Sequence, residues 1–285
     1  MNNILVTGSK GQLGSELKTL AETYPAYNFH FTDYEELDVT NHSIVDVFIK
    51  ATKISVIINC AAYTAVDKAE SDLEMATKLN HLAVENFAKI AKANNIQFLH
   101  ISTDYVFDGT NHIPYAESDK TNPQSVYGST KLAGERAVQR INPANSIIIR
   151  TSWVYSSFGN NFVKTMLRLG NEKKELGVIV DQVGTPTYAR DLAKVLLEII
   201  PKLQNSNVEV YHFSNKGVCS WYDFAKTIFN LKEIDIIVNA IETSEYPTAA
   251  KRPCYSVLNK HKIESTFQIE IPYWRDSLKE CLQKL

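Results

Sequence analysis

A short apolar run, Ile4-Leu5-Val6-Thr7, passes directly into Gly8-Ser9-Lys10-Gly11-Gln12-Leu13-Gly14, and this junction restricts the fold more than any other stretch of the chain. Three glycines spaced G-x-x-G-x-x-G follow a strand-like run and precede a helix-forming pattern over 12–20. Small residues there let the backbone approach a pyrophosphate. The amino end of the next helix supplies free N–H groups and partial positive charge, and the third glycine lets helix and strand pack closely. Gly8, Lys10, Gly11, Gln12, Leu13 and Gly14 are therefore read as the wall of a dinucleotide site.

The first half of the chain keeps repeating this strand–helix rhythm. Asn28-Phe29-His30-Phe31, Val56-Ile57-Ile58-Asn59, Phe98-Leu99-His100-Ile101 and Ile147-Ile148-Ile149-Arg150 are further strand candidates. Several are apolar on consecutive residues, as strands covered on both faces must be. Between them, Met75, Leu79, Leu82, Phe87 and Ile90 recur at helical spacing and predict one apolar helix face. The alternation predicts an α/β fold: a doubly wound, Rossmann-type parallel sheet over 1–150. After Arg150 the rhythm breaks. The stretch 151–285 reads as a smaller, mixed α/β substrate-binding lobe interleaved with the sheet. Strands near 178–180 and 208–213 are expected to return to that sheet, and helices are expected over 221–229 and after Pro272.

Composition excludes several other classes. Hydrophobic residues make up 44% of the 285 residues, so the chain can bury a core without disulfide staples. Thirty basic side chains against 32 acidic ones give a net charge of -2, which builds in no attraction to nucleic acid or anionic lipid. Apolar runs are too short to cross a bilayer, and the opening Met1-Asn2-Asn3 has no basic region of a signal peptide. Cys60, Cys219, Cys254 and Cys281 lie far apart without C-x-x-C spacing, which points to reduced thiols and a cytoplasmic location.

The chemistry is carried by Tyr127-Gly128-Ser129-Thr130-Lys131, a Y-x-x-x-K pair at the start of a helix-forming run. A spacing of four puts both side chains on one helical face. An ammonium beside a phenol is expected to depress the phenol's pKa, making Tyr127 a proton donor to a carbonyl under reduction. Thr103 and Asp104 stand where the fourth strand ends, the edge at which open α/β sheets collect ligands. Thr103 can donate a second hydrogen bond to the same carbonyl oxygen. Asp33, at the end of the second strand, is placed to accept from an adenosine ribose, whereas Lys10 is placed to pair with a 2′-phosphate. Asp38 is read either as reaching the adenine or as capping the following helix. Trp153 offers a flat face to a sugar or base, or a core aromatic. Arg252 offers a planar fork to a diphosphate, or a solvated surface group.

Taken together, the glycine turn, the Ser102-Thr103-Asp104-Tyr105-Val106-Phe107 run and Y-x-x-x-K resemble the extended short-chain dehydrogenase/reductases. Longer stretches resemble, within them, the dTDP-4-dehydrorhamnose reductase family. These begin at Ala62-Tyr63-Thr64, Val126-Tyr127, Arg150-Thr151-Ser152-Trp153, Gly159-Asn160-Asn161 and Asp181-Gln182-Val183. The resemblance implies reduction of the C4 ketone of dTDP-4-dehydro-β-L-rhamnose to dTDP-L-rhamnose for surface polysaccharide. NADPH is the implied coenzyme and NADH its alternative. By the same resemblance Tyr127 is the proton donor and Lys131 its partner, Thr103 and Asp104 contact substrate, and Trp153 packs on the sugar nucleotide. Gly11, Gln12, Leu13, Asp33, Asp38, Val39, Ala62, Tyr63 and Thr64 are implied to line the cofactor. Asn80 matches a superfamily position that supports a proton relay to the lysine, or else is a surface helix residue.

One departure stands out. Some members bridge a magnesium ion with acidic residues at a dimer contact, and Glu16 is available for this. The chain nevertheless reads Ala189-Arg190-Asp191 where a further acid is expected. No tightly bound metal is therefore expected, and monomer and homodimer both stay open. Two rival readings compete. One is another nucleotide-sugar epimerase or dehydratase of the superfamily, and the other is a non-catalytic regulatory subunit of methionine adenosyltransferase. The small-molecule partner expected is a nucleotide sugar, with no nucleic acid and no membrane.

Overall fold

The strands at the centre of the molecule are apolar on both faces because helices cover both. In the computed structural model, which describes residues 2–285, the chain alternates β1 (Asn2–Thr7), α1 (Gln12–Leu20), β2 (Tyr27–Thr32), α2 (His42–Ala51) and β3 (Val56–Asn59). Then follow α3 (Val66–Ala69), α4 (Leu73–Thr77), α5 (Ala83–Asn94), β4 (Gln97–Thr103), α6 (Val126–Ile141) and β5 (Ile147–Thr151). The second half adds β6 (Val154–Tyr155), α7 (Phe162–Glu172), β7 (Glu175–Ile179), β8 (Val183–Gly184), β9 (Thr187–Tyr188) and α8 (Ala189–Ile199). It ends with β10 (Glu209–His212), β11 (Cys219–Ser220), α9 (Trp221–Leu231), β12 (Ile237–Ile241), α10 (His261–Phe267) and α11 (Trp274–Leu282).

Six strands form one parallel sheet in the order β10-β5-β4-β3-β1-β2, a Rossmann-type α/β arrangement. Successive side chains of β1 enter opposite layers. Ile4 and Val6 join Leu13 and Leu17 of α1 and Leu192 and Leu196 of α8. Leu5 joins Val45 of α2, Phe87 of α5 and Val138 of α6. Period-two alternation thus sends each strand's apolar residues into two separate cores. From 151 onward the chain divides its elements. β10 forms one edge of the sheet and α8 and α10 pack on it, whereas α7, α9 and α11 enclose a third core with Tyr155, Tyr188 and Phe224.

Two expectations need correction. The run near 178–180 does not return to the main sheet; β7 pairs in parallel with β12 in a separate two-stranded sheet. Its composition explains this: only Val178 of the strand is buried, and Glu175 and Gly177 are exposed, so it cannot fill a position covered on both faces. The apolar pattern over 75–90 also fails as one continuous face. A π-helical turn, Lys78–Leu82, interrupts it, leaving Met75 and Leu82 exposed while Phe87 and Ile90 are buried. That turn carries Asn80 into the interior. Its Oδ1 accepts from the Tyr63 N–H at 2.9 Å, and its Nδ2 donates to the Tyr63 carbonyl and to Thr130 Oγ1 at 3.1 and 3.2 Å.

The helix that matters most for the site is α6. Ser125 caps it, accepting from the Gly128 N–H at 3.1 Å. Gly128 lies so close to the turn after β4 that a Cβ there would stand 2.3 Å from the Tyr105 carbonyl oxygen. Two turns on, Glu135 forks with Arg150 of β5, 2.7 Å from Oε2 to Nη2 and 3.0 Å from Oε1 to Nε, and accepts from Ser102 Oγ of β4. Both ionic partners are almost fully buried. Breaking such a pair leaves an uncompensated interior charge, whereas removing both partners together costs much less. Arg150→Met is therefore expected to destabilise the fold by about 3–5 kcal/mol in urea unfolding. The Glu135→Gln, Arg150→Met double variant is expected to recover most of that loss, and equal losses in both would show that the pair is not coupled.

Candidate active site

At the carboxyl edge of the sheet the strand order reverses between β1 and β3, and a crevice opens where connections diverge to opposite faces. The glycine turn forms its floor. Gly8 adopts φ +64°, and a Cβ there would come within 2.8 Å of the Ala61 N, so the turn is pressed on the chain leaving β3. At Gly14 a Cβ would stand 2.4 Å from the Gly8 carbonyl oxygen, which is the close helix–turn packing expected of the third glycine. α1 begins with Gly11 as its cap, no side-chain hydrogen bond to its first N–H groups, and no acid in its first turn. Those donors face a cavity of about 790 Å³. An uncapped helix end behind a cradle without side chains fits a dinucleotide pyrophosphate.

At the β2 side of this cavity the two candidate ribose readers differ in state. Asp33 is held on the wall: its Oδ2 accepts from the Lys10 N–H at 2.9 Å and its Oδ1 from the Tyr34 N–H at 2.8 Å. Lys10 Nζ is already bonded to Glu35 at 2.5 Å and lies 3.8 Å from Glu36. Val39 lies on the wall with Leu37, but Asp38 does not. One Asp38 carboxylate oxygen, Oδ1, accepts from the Thr40 N–H and hydroxyl, at 2.9 and 2.7 Å. Asp38 neither reaches an adenine site nor caps the next helix, whose cap is Asn41. Beyond β3, Ala62 and Thr64 line the cavity. Tyr63 does not, because its backbone is clasped by Asn80 and its hydroxyl donates to Asp72 at 3.0 Å.

Thr103, Asp104, Tyr127 and Lys131 share the opposite wall. Thr103 Oγ1 donates to Asp104 Oδ1 at 3.0 Å and accepts from the Tyr105 N–H at 3.2 Å. Tyr105 packs edge-on against the Tyr127 ring, with centroids 5.5 Å apart. Burial pushes the Tyr127 phenol up to about 12, with the Thr103 hydroxyl opposing and Asp104 adding to the rise. The expected depression by the lysine is thus reversed. Lys131 Nζ donates to the Ile101 carbonyl oxygen of β4 at 2.6 Å, and burial brings the amine down to about 8 against the pull of Glu135 and Cys60. Spacing alone put the two groups on one face, but desolvation governs both titrations. Asp104 follows the same rule: burial lifts it to about 6, and its Oδ2 has no hydrogen-bond partner among the described residues.

The third wall comes from loop 153–161. Trp153 has a left-handed backbone, φ +49°, which a bulky side chain rarely adopts, and its indole stacks on Trp221 at 3.6 Å between centroids. Trp153 lines the cavity and also joins an aromatic cluster. Gly159 and Asn160 complete this wall, and no spacing or periodicity in the sequence marks them. Arg252 is not on the wall. Its guanidinium forks with Asp67, at 3.1 Å for Nη1 and 2.5 Å for Nη2. Behind the glycine turn, Arg190 reaches between Glu16 and Glu280, at 3.4 and 3.5 Å. No group of three or more His, Cys, Asp or Glu side chains suited to a metal ion occurs among the described residues. Among them, too, no helix is long and apolar enough to cross a membrane.

Comparison with known proteins agrees with this geometry. A family model described as the RmlD substrate binding domain matches residues 1–285. The dTDP-4-dehydrorhamnose reductase of Aggregatibacter actinomycetemcomitans is 44% identical, over 98% of this chain and 98% of its own length. A crystal structure of a dTDP-4-dehydrorhamnose reductase from Clostridium acetobutylicum superposes with a TM-score of 0.94 at 46% identity, covering 99% of this chain and 98% of that one. The Bacillus anthracis dTDP-4-dehydrorhamnose reductase, solved in complex with NADP, gives 0.94 at 37% identity, with both chains fully covered.

Lys131 provides a direct check on this site. Carbon NMR of lysine-labelled protein is expected to show two amines titrating near pH 8 rather than at the ordinary 10.5, those of Lys131 and Lys260, and Lys131→Met is expected to remove one of them. Because the folded value lies below the unfolded one, Lys131 opposes folding in full below about pH 8. The opposition fades as pH rises toward 10.5. An amine titrating at its ordinary value would contradict the burial argument.

Proposed function

The chain belongs to the RmlD substrate binding domain family, and from that membership we propose that it reduces the C4 ketone of dTDP-4-dehydro-β-L-rhamnose to dTDP-L-rhamnose. It does so as an NADPH-dependent oxidoreductase, with NADH the alternative coenzyme, in dTDP-rhamnose synthesis for surface polysaccharide. The observation that carries this reading is the convergence of Thr103, Tyr127 and Lys131 with the glycine turn on one cavity. Four separated thiols, Cys60, Cys219, Cys254 and Cys281, support a cytoplasmic enzyme.

The residues divide the work as follows. Gln12 and Leu13 receive the dinucleotide's pyrophosphate on their N–H groups, Gly11, whose own N–H donates to the Gly8 carbonyl oxygen at 3.0 Å, keeps the cradle free of a side chain, and Asp33 accepts from the adenosine ribose. Once bound, the reduced nicotinamide supplies the hydride. Tyr127 donates its phenolic proton to the C4 oxygen. A phenol held near 12 is fully protonated at neutral pH, so the proton is always present, and an alkoxide is basic enough to take it. Thr103 turns its hydroxyl from Asp104 to the same oxygen, providing a second donor where charge develops. Lys131, tied to β4 through Ile101, presents its remaining N–H groups to the nicotinamide ribose. Asp104 and Trp153 hold the sugar nucleotide from two sides. Arg252 needs to leave Asp67 before it can serve a diphosphate.

Two experiments test this. Tyr127→Phe is expected to lower turnover by about a hundredfold or more with little change in NADPH affinity, as read by stopped-flow assay and calorimetry. Near-normal turnover in that variant would remove the proton-donor role. Glu35→Gln removes the shorter of the two Lys10 ion pairs and leaves Glu36 at 3.8 Å, so the ratio of NADPH to NADH affinity is expected to rise by about two- to fivefold, the scale of an exposed ion pair. An unchanged ratio would mean that Lys10 does not sense the 2′-phosphate.

A further inference from the structure

Gln12 serves two neighbours at once. Its backbone N–H lies at the uncapped amino end of α1, where the cavity floor is built from turns without side chains. Its side chain points away from that floor into loop 153–161. Nε2 donates to the Val154 carbonyl oxygen at 3.3 Å, and Oε1 accepts from Asn161 Nδ2 at 3.0 Å. One turn further along the same face of α1, Glu16 accepts from Ser156 Oγ at 2.6 Å in the buried interior. Asn161 also ties the loop to itself, donating to the Ser156 carbonyl oxygen at 2.8 Å, and caps α7 by accepting from the Lys164 N–H. Gly159 passes so near that a Cβ there would stand 3.0 Å from Gln12 Cγ. The loop therefore rests on the helix that begins the dinucleotide cradle.

That same loop starts with Trp153, whose left-handed backbone and stacked indole fix one wall of the substrate end. The residues of the loop that line the cavity, Trp153, Val154, Gly159 and Asn160, are contiguous with Gln12 on its surface. A ligand seated on the helix end and a ligand seated on Trp153 thus share one mechanical support, with Gln12 joining the two halves. We propose that Gln12 is a positioning residue that couples the two ligands: dinucleotide bound at its backbone holds loop 153–161 in the form that accepts the nucleotide sugar. This rests on the functional reading above. It adds that the coenzyme strengthens nucleotide-sugar binding and that the link runs through one amide side chain.

The test uses calorimetric titration of the whole protein with NADPH and with dTDP, each alone and each in the presence of the other at saturation. In the unaltered protein dTDP is expected to bind about tenfold more tightly with NADPH present, and NADPH to gain the same factor from dTDP, since such coupling is reciprocal. Gln12→Met keeps length and bulk and leaves the backbone N–H in place, but removes both hydrogen bonds to the loop. It is expected to reduce the factor to less than about twofold, a ratio read independently of any change in the affinity for either ligand alone. An unchanged circular-dichroism spectrum and melting temperature show that the variant is folded. Full coupling in Gln12→Met, or no coupling in the unaltered protein, overturns the proposal while leaving the functional reading standing. If neither ligand binds the unaltered protein, the functional reading falls and the coupling falls with it.

Discussion

The interior ion pair between Glu135 and Arg150 governs how the rest of the molecule is arranged. It ties α6 to β4 and β5, adjacent strands from whose ends cavity walls project, with Ser102 of β4 completing the Glu135 carboxylate's contacts. Because each ion neutralises the other out of reach of water, the helix cannot slide or tilt without exposing an unpaired charge to a low-dielectric surrounding. Tyr127 and Lys131 precede Glu135 by two turns and one, so the depth at which this fork locks sets where the phenol and the amine emerge. Gly128 then lets the helix start press on the chain after β4. A rigid element positioned by a buried contact suits reactive groups that must meet a substrate within fractions of an ångström.

Much of this was legible in the sequence because it depends on local pattern. Consecutive apolar residues marked β1, β3, β4 and β5, since a strand covered on both faces has no polar position to spare. The glycines disclosed a turn because only a residue without a Cβ tolerates the approach of Ala61 to Gly8 or of Gly8 to Gly14. The parts that escaped depend on tertiary context. The run at 178–180 looks like a sheet strand until its neighbours are counted, and it pairs with β12, far along the chain. The π-turn at 78–82 leaves no periodic trace; it exists because Asn80 is drawn inward to Tyr63 and Thr130. Asp38 and Tyr63 adjoin cavity-lining residues in the chain, and Arg252 pairs with Asp67, next to the lining Val66, yet each bonds a partner that spacing alone does not reveal.

The titration behaviour of the site shows a similar limit. Residue spacing on a helix says which groups are neighbours but not how dry they are. Here desolvation lifts the phenol and the Asp104 carboxyl and lowers the lysine amine, in each case favouring the uncharged form. Only the phenol is thereby held fully protonated at neutral pH; a carboxyl near 6 is mostly ionised there and an amine near 8 mostly charged. A phenol that keeps its proton matches a reduction, in which the developing oxygen anion is the acceptor.

Trp153 couples robustness to recognition. Its main chain is left-handed, a strain of the order of 1–3 kcal/mol that the surrounding contacts must outweigh. Glycine would relax the turn but delete the indole, with its stacking on Trp221 and its packing in the aromatic cluster. Losing a core aromatic of that size typically costs about 3–5 kcal/mol, more than the relaxed turn returns. A thermostability screen run without any binding readout would therefore still retain the indole, and the ligand pocket would keep that wall.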